Sequence, residues 1–178
     1  MARRLVAIVH FSPGAGFESR GDSHKIGGVR SRLERKSHMS DHSSLRISCA
    51  AIVDNRRRTL LVRKANTDFY MQPGGKIEQD ESSLDCLKRE LMEELGVAFS
   101  DEQMEFVGHF SEIAANERNV TVQADVHFIE HTFQPRASSE IAEFIWLDAS
   151  EDERDDLAPL TKNVVLGLVK EYRARQGK

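Results

Sequence analysis

Hydrophobic and polar positions divide the chain into a patterned body and an unpatterned beginning. From Leu45 onward, Leu45, Ile47, Cys49, Ala51 and Val53 alternate with Arg46, Ser48 and Ala50, the period-2 signature of a half-buried strand. A polar turn, Asp54 to Arg58, leads into a second strand over residues 59–64, so the pair reads as a hairpin. Phe69-Tyr70-Met71 is a short extended piece that runs into Pro73-Gly74-Gly75. Pro73 keeps Gln72 out of the helical region, and the two glycines allow positive φ. From about Ser82 to Leu95 the period changes. Leu84, Leu87, Leu91 and Leu95 form one stripe at helical spacing, and Gly96 stands where a helix-ending glycine is expected. Extended segments follow over 104–115 and 120–131, then a loop over 134–140, a short strand over 144–147 and a last helix over about 157–175. This order predicts a mixed sheet packed between helices.

Residues 12–44 carry no sustained period and are rich in Gly, Ser, Arg and His. Such a segment buries too little apolar surface to offset the cost of ordering its backbone. The organisation expected is therefore a basic, disordered extension over residues 1–43 and one domain over 44–178. A leader peptide and a nucleic-acid-binding arm are the competing readings of the extension, and Met39 offers an alternative start. The charge divides at the same place. The whole chain has a net charge of −4, but residues 1–38 carry eight basic and three acidic side chains, leaving −9 on the remainder. That balance speaks against a polymeric nucleic acid as partner. No run of 18 apolar residues suggests a membrane span. The two cysteines, Cys49 and Cys86, supply no disulfide framework or zinc pair. They read as buried thiols in a reducing, cytoplasmic compartment.

The chemistry concentrates in Gly74 to Val97, GGKIEQDESSLDCLKRELMEELGV. Glu90, Glu93 and Glu94 stand at i, i+3 and i+4 and share a helical face, with the leucine stripe expected opposite. Like charges at that spacing weaken an isolated helix, and a hard divalent cation with oxygen ligands is the natural offset.

Gly75, Glu81 after five residues, Arg89-Glu90-Leu91 after seven more, then Glu93-Glu94 and Gly96-Val97 match every defined position of the Nudix box. The stretch resembles the MutT-like Nudix hydrolases. The order of strands and helices is similar to that family's α/β/α sandwich over about residues 44–175. The resemblance implies Mg²⁺, with Mn²⁺ as the alternative ion. It is held by Glu90, Glu93, Glu94 and the Gly75 carbonyl, while Gly74, Glu81 and Arg89 orient the loop. It implies hydrolysis of a diphosphate joined to another group, in the MutT manner a (d)NTP cut to monophosphate and pyrophosphate. Glu90, Glu93 and Glu140 are the candidate catalytic residues. The general base is Glu90 or a downstream glutamate, Glu140 first and Glu143 second. Glu78 is a candidate water-mediated contact.

Arg63 and Gln72 are candidate substrate contacts, ahead of Phe69, Tyr70 and Asn119; in many relatives an apolar residue stands where this chain has Gln72. The proline and tyrosine that mark the ADP-ribose and dinucleoside-polyphosphate subfamilies are absent from Glu112-Ile113-Ala114-Ala115. His109, His127 and His131 read as structural and Trp146 as core. The competing functions are a non-catalytic nucleotide-sensing module, a hydrolase of nucleotide sugars or dinucleotides, and an isomerase of prenyl diphosphates. A homodimer is compatible with the resemblance.

Overall fold

The structure is a computed structural model that describes residues 43–136 and 138–176. The reading of residues 1–43 as a disordered extension therefore lies outside the described residues, except for Ser43, which opens the first strand.

The strands are β1 (Ser43–Val53), β2 (Arg58–Lys64), β3 (Gly74–Lys76), β4 (Glu105–Ile113), β5 (Val120–Glu130) and β6 (Ile141–Asp148). The helices are α1 (Ser83–Leu95) and α2 (Leu166–Gln176). The strands join in the order β4-β5-β1-β2-β6, with β3 paired to β1 off that path. Only β1 and β5 run parallel; the other pairs are antiparallel. The period-2 alternation of β1 divides the core between two faces. Cys49, Ala51 and Val53 pack with Leu160, Val165, Leu166 and Val169 on the α2 side. Ala50 and Ile52 pack with Leu87, Leu91 and Leu95 on the α1 side. The result is the expected α/β/α sandwich. No helix among the described residues is long and apolar enough to cross a membrane.

One local feature makes room for the site. β1 and β2 are joined by a turn in which Asp54 accepts from the Arg56 and Arg58 backbone N–H groups and from the Arg58 guanidinium. The pair is registered only at Val53 and Thr59 and then parts. The chain from Met71 to Lys76 fills the gap: Met71 bridges to Val62, Pro73 O accepts from Ala50 N, and β3 pairs with Ile47, Ser48 and Cys49. The glycine segment is thus a short strand rather than a free loop. Gly74 has φ +139°, and a Cβ there would stand 2.2 Å from Ser48 O and 2.6 Å from Cys49 Cα, so the residue must be glycine.

Other boundaries differ modestly. β6 begins at Ile141 rather than 144, because its ladder with β2 extends to Lys64. The last helix enters through a π-helical turn, Thr161–Val165. Trp146 is partly buried at the core's edge, with the Arg58 guanidinium 5.9 Å over its ring.

Candidate active site

Helix α1 starts where its residues permit. Ser82 caps it by accepting from Asp85 N at 3.1 Å, an interaction of about 1 kcal/mol. Gly96 closes it in the left-handed conformation at φ +66°. Its three glutamates do not all stand opposite the leucines. At about 100° per residue, Glu94 falls about 20° from Leu87, Glu90 about 60° and Glu93 about 120°. Glu94 is accordingly 1% exposed, deep beside the leucines, whereas Glu93 is exposed and Glu90 lies between. The expected face is a graded flank.

Each carboxylate is held differently. Glu94 Oε2 accepts from Gly74 N at 3.0 Å, and Lys64 Nζ stands 2.7 Å from Oε1. Burial pushes the Glu94 carboxyl up, against the pull of Lys64 and the Gly74 N–H. Burial pulls Lys64 down, but the Glu94 carboxylate outweighs it and the ammonium is held above its ordinary value. Glu90 lies against Gly75, where a Cβ would fall 2.2 Å from its carboxyl carbon. Gly75 is therefore glycine for space, not for positive φ. Arg89 spreads its fork over the rest of the loop. Nε and Nη2 reach Glu81 at 2.9 and 3.0 Å, Nη2 also reaches Lys76 O, and Nη1 donates to Glu90 at 2.7 Å. The Arg89 hydrogen bonds hold Glu81 down at about 2. The loop-orienting pair read from the box is present as a bidentate clamp.

Gly74, Gly75, Glu90, Glu93, Glu140 and Gln72 line one cavity of about 810 Å³, together with Lys64 and Lys76. Aliphatic side chains line it as well: Leu45 and Ile47 from β1, Val122 from β5, and Leu160, with the Cys49 thiol among them. Glu140 enters from the segment before β6. Its carbonyl accepts from Ala65 N, and it is exposed toward the cavity side of Lys64. Arg63 and Glu143 do not belong to this wall. They pair with each other at 2.7 Å, and Glu143 also accepts from the buried Tyr70 hydroxyl. Arg63 and Glu143 are thus occupied by a local ion pair. Phe69 and Asn119 do not line the cavity either; Asn119 is an exposed turn residue at φ +59°. Glu78 is exposed, and its N–H donates to Glu81.

Lys64 is the residue the sequence reading missed. Strand alternation could have found it: Leu60 and Val62 face α1, and Lys64 is next on that face, while Arg63 is on the other. The cysteines are free and buried, and desolvation pushes both thiols up to about 12, leaving them unreactive. His109 pairs with Asp125, His127 is buried beside Phe106, and His131 packs on Phe99.

The donor set at the polar end is carboxylate and carbonyl oxygen, which fits a hard divalent ion and not a soft one. Among the described residues no group of three or more His, Cys, Asp or Glu side chains is arranged to hold an ion as it stands. Arg89 and Lys64 engage Glu90 and Glu94 instead. These two cations offset part of the like charge on that flank.

The NUDIX domain family matches residues 44–166. The m7GpppN-mRNA hydrolase of Saccharomyces cerevisiae is 30% identical over 108 residues, which are 59% of this chain and 11% of that protein. The chain thus spans about a tenth of that relative's length. Among solved structures, the MutT protein of Methanosarcina mazei superposes with a TM-score of 0.60 at 20% identity, covering 75% of this chain and 97% of that one. The dihydroneopterin triphosphate pyrophosphohydrolase of E. coli gives 0.57 at 16%, covering 71% and 95%. At those identities the likeness is one of fold. With the complete box on α1 and its preceding loop, and with the domain match over 44–166, the chain belongs to the Nudix hydrolase family.

Proposed function

We propose that the protein is a divalent-cation-dependent pyrophosphohydrolase that cleaves a nucleoside diphosphate derivative, with a (d)NTP cut to monophosphate and pyrophosphate as the leading case. The observation that carries this reading is one cavity lined both by carboxylates, which mark one end, and by aliphatic side chains, taken as the other. A phosphate chain belongs at the first end and an organic group at the second.

Glu90, Glu93 and Glu94, with the Gly75 carbonyl, are the oxygens that would hold Mg²⁺. When bound, the ion supplies neutralisation of phosphate charge and a more acidic water. Glu140 takes the proton of the attacking water. Its support is geometric: it lines the cavity, whereas Glu90 is engaged by Arg89 at 2.7 Å. Lys76, on the cavity wall, meets the phosphate oxygens left outside the carboxylate cluster, where a cationic point charge favours an anion. Arg89 and Glu81 hold the loop so that Gly75 and Glu90 stay apposed.

The yeast relative is by name an m7GpppN-mRNA hydrolase, which favours a second reading, a dinucleoside cap as substrate. The test is incubation with Mg²⁺ and a panel of nucleoside triphosphates, nucleotide sugars, dinucleoside polyphosphates and a cap analogue, with separate assay of phosphate, pyrophosphate and monophosphate. A triphosphate that yields monophosphate and pyrophosphate supports the leading case. In that assay Glu140→Gln lowers kcat by about 10²- to 10⁴-fold with KM little changed. Tight binding without cleavage across the panel overturns the hydrolase reading in favour of a sensing module.

A further inference from the structure

Two cations hold the glutamates of α1, and they are themselves held very differently. Arg89 is anchored away from the site. Its Nε and Nη2 grip Glu81, and Nη2 also donates to Lys76 O. Lys64 has no such anchor. Its Nζ stands 2.7 Å from Glu94 Oε1, and its other hydrogen bond among the described residues is to Gly74 O at 3.2 Å. Its side chain is 33% exposed, at the end of a flexible stem. Of the two cations, Lys64 is the one that can leave without dismantling the loop.

The surroundings of Glu94 give that freedom a consequence. Glu94 is buried and does not line the cavity, whereas Lys64 does. The ammonium therefore stands on the cavity side of the carboxylate. Glu94 Oε2 is taken up by Gly74 N, and Oε1 has the Lys64 ammonium as its ion-pair partner. A buried carboxylate needs a cation, because an unpaired buried charge is strongly destabilising. An ammonium and a divalent ion meet that need equally, but two cations on one buried carboxylate repel each other where water screens them poorly.

We propose, building on the hydrolase reading, that Lys64 is an internal competitor for the metal site. Its ammonium occupies Glu94, and an ion that takes Glu94 as a ligand displaces it. Lys64 thereby keeps Glu94 paired and the Gly74 strand in place before the ion arrives, and it weakens the ion's apparent affinity by the fraction of molecules in which it holds the carboxylate.

The test is calorimetric titration of the full chain with Mg²⁺ and with Mn²⁺, without nucleotide, alongside melting temperatures in chelator and in saturating ion. Lys64→Met keeps the length of the side chain and loses its charge. It should bind either ion about 10-fold more tightly than the wild type. In chelator it should melt below the wild type, because Glu94 has lost its partner. The ion should then raise its melting temperature by more than it raises that of the wild type. Lys64→Gln is neutral yet still able to donate to Glu94, and it should show the same gain in affinity even if the methionine variant is too unstable to titrate. Lys76→Met removes another cation of the cavity wall, one that forms no ion pair with Glu94, and should gain about threefold or less. Unchanged or weaker ion binding in Lys64→Met and Lys64→Gln, an equal gain in Lys76→Met, or no ion binding by any of these proteins overturns the competitor role. The gain in affinity without cleavage of any substrate in the panel overturns the hydrolase reading alone. Metal-dependent cleavage by a wild type whose ion affinity the Lys64 variants leave unchanged overturns the competitor alone, so the two ideas fail separately.

Discussion

The two ends of the cavity solve opposite problems with the same short piece of chain. At the polar end, Glu90 and Glu93 line the cavity with Glu94 buried beside them, and Arg89 and Lys64 hold these like charges. At the aliphatic end, Ile47 and Val122 are ordinary strand residues whose side chains continue the core outward. One end is built by charge and close backbone approach, the other by continuity of packing. The first is therefore brittle and specific, the second tolerant in shape and weak in chemistry. Residues 71–76 belong to both, since they run between the parted strands with Gln72 on one side and Gly74 and Gly75 on the other.

The sharpest way to break the comparison is at the two glycines. Gly75→Ala puts a methyl group 2.2 Å from the Glu90 carboxyl carbon, the movable end of a side chain. The fold should lose about 1 kcal/mol or less. The displaced carboxylate should lower kcat by about 10²-fold. Gly74→Ala meets the backbone of β1 at Ser48 O and sits at φ +139°. It should cost about 3 kcal/mol of stability, read as a lowered midpoint in a urea titration. If the two variants lose activity and stability in the same proportion, the polar end is not the separate device described.

Val122→Ala is the corresponding change at the other end. On the proposed reading, it removes two methyl groups from a wall that grips an organic moiety and does no chemistry. KM should rise about 10-fold with kcat within about twofold. A fall in kcat matching that of Gly75→Ala would mean that the wall positions the reacting phosphate and that the division between ends is wrong.

How legible each end was in the sequence follows from the same difference. The box glutamates and the Glu81–Arg89 clamp were readable because metal and phosphate chemistry demands specific residues at specific spacings. The burial of Glu94 was also readable in principle: at about 100° per residue it lies close to Leu87, so grouping it with Glu93 on an outward face overlooked the helical wheel. Lys64 and Arg63 are adjacent, and strand alternation puts the lysine on the α1 face. The sheet register brings Glu143 opposite Arg63, a pairing with no local signature. What the sequence could not show is long-range. The parting of β1 and β2, the insertion of three residues as β3, and the cavity that results depend on pairings with no local signature. Gln72 stood out by its polarity, but its burial against Thr161, 89 positions away, has no local signature.

The smallest effect tests whether the Glu81–Arg89 clamp is a device of charge. Glu81 is held down at about 2, from an ordinary value of 4.5, chiefly by the hydrogen bonds from Arg89. A carboxylate whose folded pKa is depressed contributes stability that is fully present above its unfolded pKa and is lost as pH falls through the folded one. The clamp's contribution should therefore be complete above about pH 4.5 and fade down to about pH 2. Glu81→Gln keeps the shape and loses the charge, so its melting temperature should trail that of the wild type at neutral pH and converge with it on acidification. The comparison must be made between the two proteins and not within one, because Asp148, Asp152 and Asp156 are also held low by cationic neighbours and titrate as the pH falls. Solvent access to the pair adds a second condition: salt screens accessible charges, so the gap at neutral pH should shrink in concentrated chloride. A gap that ignores both pH and salt would make the clamp a matter of shape alone. The polar end would then be held together by the same packing that builds the aliphatic one.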